Sequence, residues 1–99
     1  MNSQLKIDHE SIVQFCKKNN IKKLSFFGSV LRDDFGPESD VDVLVEFAPD
    51  AHIGFIGLAS LEIELTDLIG RKVDLHTPQD LSRYFRDQVM AAAEVQYAA

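Results

Sequence analysis

The chain holds a single cysteine, Cys16, among its 99 residues. A lone thiol cannot close an internal disulfide, so nothing points to a secreted, cross-linked scaffold. Basic residues are scarce. Ten Lys and Arg stand against sixteen Asp and Glu, a formal charge of −6. That balance argues against direct nucleic-acid binding, because neutralising phosphates needs a basic face. Five Gly and three Pro are too few for a fibrous or disordered chain. No apolar run approaches the length of a membrane span, and the opening MNSQLKIDHESIV lacks the apolar stretch of a signal peptide. Repeats, linkers and low-complexity tracts are missing too. The expectation is a soluble, cytoplasmic protein folded as one domain over residues 1–99, with no membrane partner.

What is present is strong patterning. Asp8 is placed to cap a helix with apolar positions at Ile12, Val13, Phe15 and Cys16, and Asn19-Asn20 is its stop. Lys23 to Phe27 reads as a buried strand ending at Gly28. Turn residues fill 33–39 around Gly36-Pro37. From Asp40 to Phe47 polar and apolar residues alternate, with Val41, Val43, Val45 and Phe47 on one face. Between Gly54 and Ile69, Leu58, Leu61, Leu65 and Leu68 recur at helical steps, and Gly70 stands where a helix ends. Lys72 to His76 is a short third strand. Thr77, Pro78 and Asp80 set up a capped helix start. Leu81, Tyr84, Phe85, Val89 and Ala92 extend an apolar stripe that Ser82 breaks or restarts. The predicted order is α-β-(short α)-β-α-β-α. That is an α/β (α+β) sandwich with a small mixed three-stranded sheet and about four helices.

Several residues are expected to be structural. Cys16, Tyr84, Phe85 and Tyr97 are assigned to packing, and the Lys17-Lys18 and Lys22-Lys23 pairs to solvated surface. Arg83 and Arg86 are assigned to an exposed helix face, and Phe55 and Ile56 to an exposed partner patch. His9, His52 and His76 have no metal-ligand spacing, so no zinc site is expected. Arg32 is assigned to an ion pair with Glu38 or Asp40 ahead of a phosphate contact.

The chemistry is concentrated between Phe27 and Asp42. Asp40 and Asp42 are two apart on a strand, so both carboxylates leave from one face. The opposite face is apolar, which pins the register: a one-residue slip would bury both acids. Neighbouring carboxylates repel, and a strand is a poor setting for Asp. A cation between them offsets that cost, and oxygen-only ligands favour Mg²⁺ or Mn²⁺. Asp74, flanked by Val73 and Leu75, reaches the same edge if its strand pairs with theirs. Three converging carboxylates can hold two divalent ions, an arrangement suited to in-line attack at phosphorus. At the Gly28-Ser29 bend, glycine lets backbone approach a phosphate. Ser29 opens a short turn whose N–H groups and hydroxyl favour an anion. A phosphate cradle beside a metal cage is what a nucleoside triphosphate requires.

Gly28-Ser29, ten residues, then Asp40-x-Asp42 resembles the GSx₁₀DxD signature of the DNA polymerase-β-like nucleotidyltransferase superfamily. The chain is similar in size to the minimal nucleotidyltransferase (MNT) branch, and FGSVLRDDFGPESDVDVLVEF, GRKVDLHTP and DLSRYFRDQV all look like that branch. Asp33-Asp34 departs from the Gly-Glu of many relatives. The resemblance implies a polymerase-β-like core in which Asp40, Asp42 and Asp74 bind Mg²⁺, with two ions, and are catalytic, and in which Gly28 and Ser29 hold the terminal phosphates of ATP. It also implies a partner, since such proteins are commonly antitoxins encoded beside a HEPN-domain ribonuclease toxin. They resemble protein adenylyltransferases (EC 2.7.7.-) that move AMP onto a tyrosine hydroxyl of that toxin. With 25 residues after Asp74, no second domain for an RNA or small-molecule acceptor is expected. A non-catalytic antitoxin that acts by binding, and a small-molecule nucleotidyltransferase, are the alternatives. Base preference, the number of AMP units and homo- or hetero-oligomeric state stay open.

Overall fold

A computed structural model describes residues 8–31, 36, 39–51 and 53–99, with the backbone alone at 29 and 30. The expected contacts of Arg32 and Glu38 lie outside the described residues, as do most of the 33–39 turn and His52. The chain builds four strands, β1 (Ile21–Phe27), β2 (Val41–Phe47), β3 (Val73–His76) and β4 (Glu94–Ala98). They form one mixed sheet in the order β3-β2-β1-β4. Three α-helices, α1 (His9–Lys18), α2 (Phe55–Ile69) and α3 (Arg86–Ala92), and two 3₁₀ turns, Gly28–Leu31 and Pro78–Asp80, complete the described elements.

Local chemistry sets the element ends. The Asp8 carboxylate accepts from the Glu10 N–H at 3.1 Å and from Ser11 Oγ at 2.9 Å, capping α1 as expected. Lys17 and Lys18 in the last turn complement the helix dipole. Asn19 closes the helix by donating its side-chain amide to the Phe15 carbonyl at 2.9 Å, and Asn20, at φ +57°, turns the chain into β1. At the far end of α2, Gly70 adopts φ +79° and its N–H meets the Thr66 carbonyl at 2.8 Å. Helix α2 is also the crossover that parallel pairing of β2 with β3 demands. Its side chains satisfy the outer edge of β3: Thr66 Oγ1 accepts from the Val73 N–H at 3.2 Å, and Glu62 Oε2 from the Leu75 N–H at 2.9 Å.

The alternation seen in the sequence becomes two faces. Leu24, Phe26, Val41, Val43, Val45 and Val73 point to one side, where Ile12, Phe15 and Cys16 of α1 and Leu61, Leu65 and Ile69 of α2 cover them. Asp42, Leu44 and Glu46, with Asp74 and His76, belong to the other side by the period of two. Among the described residues no helix is long and apolar enough to cross a membrane.

The element counts are corrected. Among the described residues the sheet has four strands where three were expected, with three α-helices where about four were. The stripe from Leu81 to Ala92 breaks and restarts at Ser82, as the sequence suggested: Leu81 turns extended at ψ 141°, and the Ser82 carbonyl then starts α3 by accepting from Arg86 at 2.9 Å. Beyond Ala93 the chain becomes β4, hydrogen-bonded to β1 with a register shift between Leu24 and Ser25. Breaking the stripe leaves Tyr84 82% and Phe85 47% exposed, so neither packs as expected. Arg86 is half-buried, donating to the Leu81 carbonyl at 3.1 Å, whereas Arg83 lies over the Tyr84 ring at 5.2 Å. Tyr97 does pack on the core, and Phe55 and Ile56 are each 87% exposed, both as expected.

Three outcomes follow from this packing. Leu65→Ala empties a fully buried site and is expected to lower unfolding free energy by about 2–5 kcal/mol in urea titration. Gly70→Ala forces a Cβ into the left-handed region and costs about 1–2 kcal/mol in the same assay. Burial pushes the Cys16 thiol from 9.0 up to about 12, so the folded state favours the protonated form. Its contribution to stability is complete below pH 9 and is lost as pH rises from there toward 12. Ellman's reagent at pH 8 is expected to label Cys16 only as the protein unfolds.

Candidate functional site

Strand register brings two of the three acids together. Parallel pairing sets Asp42 opposite Asp74, and antiparallel pairing sets Phe27 opposite Asp42. Register partners share a face, so Asp42 and Asp74 stand side by side on the surface away from α1 and α2. Asp40 sits just ahead of β2. Gly28 follows Phe27 immediately, at φ +74°, and a Cβ there would lie 3.2 Å from Asp42 Cγ and nearer still to Oδ2. Glycine is therefore required twice, for the backbone angle and for the space the Asp42 carboxylate occupies. The backbone of Ser29 continues the 3₁₀ turn; its side chain lies outside the described set.

A lysine and a histidine side chain face these carboxylates. Lys72 Nζ is 3.8 Å from Asp40 Oδ2, and His76 Nε2 is 4.0 Å from Asp42 Oδ1, longer than a hydrogen bond. The His76 ring also meets Phe27 edge-on, with centroids 5.5 Å apart and planes at 67°. Phe27 and His76 thus brace one another across β2, beside Asp42. Grouping His76 with the scattered histidines missed this position. The signal was its spacing: two residues past Asp74 on a strand is the same face.

Asp40, Asp42 and Asp74 offer hard oxygen donors of the kind that Mg²⁺ takes, with the Asp40 and Asp42 side chains 38% and 27% exposed. Among the described residues, no three His, Cys, Asp or Glu side chains close into a metal-holding group. A hollow of about 520 Å³ lies between α1 and α2, lined by Phe15, Lys18, Glu64 and Leu68 among others, and one of about 280 Å³ lies near Phe47 and Pro78. None of the three aspartates lines either.

Gly28→Ala tests this packing directly. The added methyl is expected to displace the Asp42 carboxylate and cost about 1–2 kcal/mol from the left-handed angle alone, measured by urea denaturation. A crystal structure of the variant should show Asp42 moved from the bend.

The profile of the nucleotidyltransferase domain family matches residues 9–95. A Methanocaldococcus jannaschii protein named "putative protein adenylyltransferase" is 30% identical over 82 residues, covering 83% of this chain and 86% of that relative. A solved "putative minimal nucleotidyltransferase" superposes with TM-score 0.71 at 29% identity, over 86% of this chain and 85% of the other. A toxin–antitoxin crystal structure with AMP-PNP gives TM-score 0.76 at 19% identity, over 94% and 75%. A tri-AMPylated Shewanella oneidensis HEPN toxin in complex with MNT antitoxin gives 0.66 at 19%, over 92% and 70%. At that identity the last two establish a shared fold alone. Because the family profile runs from the first helix into the last strand, the chain belongs to the nucleotidyltransferase domain family.

Proposed function

We propose that this nucleotidyltransferase moves AMP from ATP to a tyrosine hydroxyl of a HEPN-domain toxin, using Mg²⁺, and so acts as the antitoxin of a HEPN/MNT pair. The observation that carries the reading is the in-register pairing of Asp42 with Asp74 beside the Gly28 bend. The named activity of the relative and the toxin complexes among the fold neighbours support it.

In the transfer, the tyrosine oxygen bonds to the α-phosphorus, the bond from that phosphorus to the bridging oxygen breaks, and pyrophosphate leaves. The hydroxyl proton is released. Asp40, Asp42 and Asp74 would hold the metal, which when bound neutralises triphosphate charge and lowers the pKa of the attacking hydroxyl. The Gly28-Ser29 backbone receives the terminal phosphates on the free N–H groups that open the 3₁₀ turn. Asp74 orients the hydroxyl and helps to take its proton. Catalysis of this kind is mostly positioning and charge stabilisation.

A second reading has one observation in its favour: Asp40 and Asp42 face Lys72 and His76. On that reading the protein neutralises its toxin by binding alone.

Labelled ATP, Mg²⁺ and the co-encoded partner separate the two. Asp42→Asn keeps shape and volume, and is expected to leave the circular dichroism spectrum unchanged while label transfer falls about a hundredfold or more. Undiminished labelling would refute the catalytic role. Protection of cells by an Asp40→Asn, Asp42→Asn double variant would favour binding alone. Omission of Mg²⁺ is expected to abolish labelling by the wild type.

A further inference from the structure

Between Gly70, which ends α2, and Lys72, which leads into β3, Arg71 reaches across to the segment that precedes β2. Its Nη2 donates to the Gly36 carbonyl at 2.5 Å and to the Ser39 carbonyl at 2.9 Å, and the side chain is half-buried. Those two residues already close a small turn on themselves. The Ser39 N–H meets the Gly36 carbonyl at 3.1 Å, and the Gly36 N–H meets Ser39 Oγ at 3.1 Å. Immediately beyond, the Lys72 carbonyl accepts from the Val41 N–H at 2.8 Å. Arg71 is itself held from behind. Thr66 accepts the Gly70 N–H on its carbonyl and the Val73 N–H on its hydroxyl, fixing the backbone on both sides of residue 71 to α2.

We propose that Arg71 is a positioning residue for nucleotidyl transfer. Its guanidinium ties the Gly36–Ser39 turn to the end of α2, and thereby sets where the Asp40 carboxylate lies relative to Asp42, Asp74 and the Gly28 bend. This rests on the catalytic reading above. Ser39 immediately precedes Asp40, so the placement of its carbonyl bears directly on where that acid begins. A charge-assisted bond to a carbonyl is stronger than a neutral one, and Arg71 makes two, to carbonyls one residue and four residues ahead of Asp40. Among the described residues, the other hydrogen bonds at Gly36 and Ser39 are the two they make with each other, and β2 starts two residues on. A displacement of about 1 Å at a reacting group costs roughly a hundredfold in rate.

The test uses the full chain with its partner and labelled ATP, and Mg²⁺ with AMP-PNP as the binding probe. Arg71→Met is expected to lower kcat about a hundredfold, with a smaller rise in KM for ATP and weaker AMP-PNP binding by calorimetry. Arg71→Lys, which keeps charge and donors, is expected to recover part of the rate. Millimolar guanidinium, but not NaCl, should recover part of the rate of Arg71→Ala. Wild-type kcat and KM in Arg71→Met would overturn the proposal. So would a loss that only tracks the fraction unfolded by circular dichroism and answers to neither lysine nor guanidinium. Asp42→Asn run in parallel separates the two claims. If it loses transfer while Arg71→Met does not, the positioning role alone fails; if it keeps transfer and AMP-PNP binding, the catalytic reading fails and takes the role of Arg71 with it.

Discussion

The parallel register of β2 on β3 is the constraint on which the site depends. Val41 pairs with Val73 and Val43 with Leu75, and these apolar residues face the layer where α1 and α2 pack. A one-residue slip in either strand would turn its acids into that core, at a cost far above any gain in pairing. Asp42 and Asp74 are therefore neighbours as a consequence of where the valines must go. The hydrophobic effect, which has no direction of its own, places two carboxylates side by side.

That placement carries an electrostatic penalty in a chain with a formal charge of −6. Like charges across adjacent strands repel. Lys72 lies near enough to Asp40 to offset some of the repulsion, and it comes from the approach to β3. The same short stretch, residues 70–76, ends α2, holds the Gly36–Ser39 turn through Arg71, carries Asp74 and braces Phe27 through His76. Site geometry thus depends on how firmly one short edge strand is anchored. Thr66 and Glu62 anchor it by taking its outward N–H groups.

Much of this was legible in local pattern. Asp8, Asn19-Asn20 and Gly70 mark helix ends by their own conformational preferences, which neighbours in space hardly alter. The alternation from Asp40 to Phe47 states which residues go inward. Where the pattern misled, a long-range partner was the cause. Glu94–Ala98 has only Val95 and Tyr97 to suggest a strand, and it forms because the free edge of β1 offers hydrogen bonds. Tyr84 and Phe85 continue an apolar stripe, yet the chain leaves the helical path at Leu81 and carries them into solvent. His76 looked isolated among three histidines until pairing set it beside Asp42.

The sequence by itself determined the two faces of β2 and the acids available at 40, 42 and 74, because these follow from side-chain period within a few residues. Only the tertiary structure decided that residue 74 stands opposite 42, that Arg71 grips carbonyls thirty-five and thirty-two positions away, and that a fourth strand closes the sheet. Those are contacts between distant segments. Their geometry is set by the joint packing of helices and sheet, which no local window of residues contains.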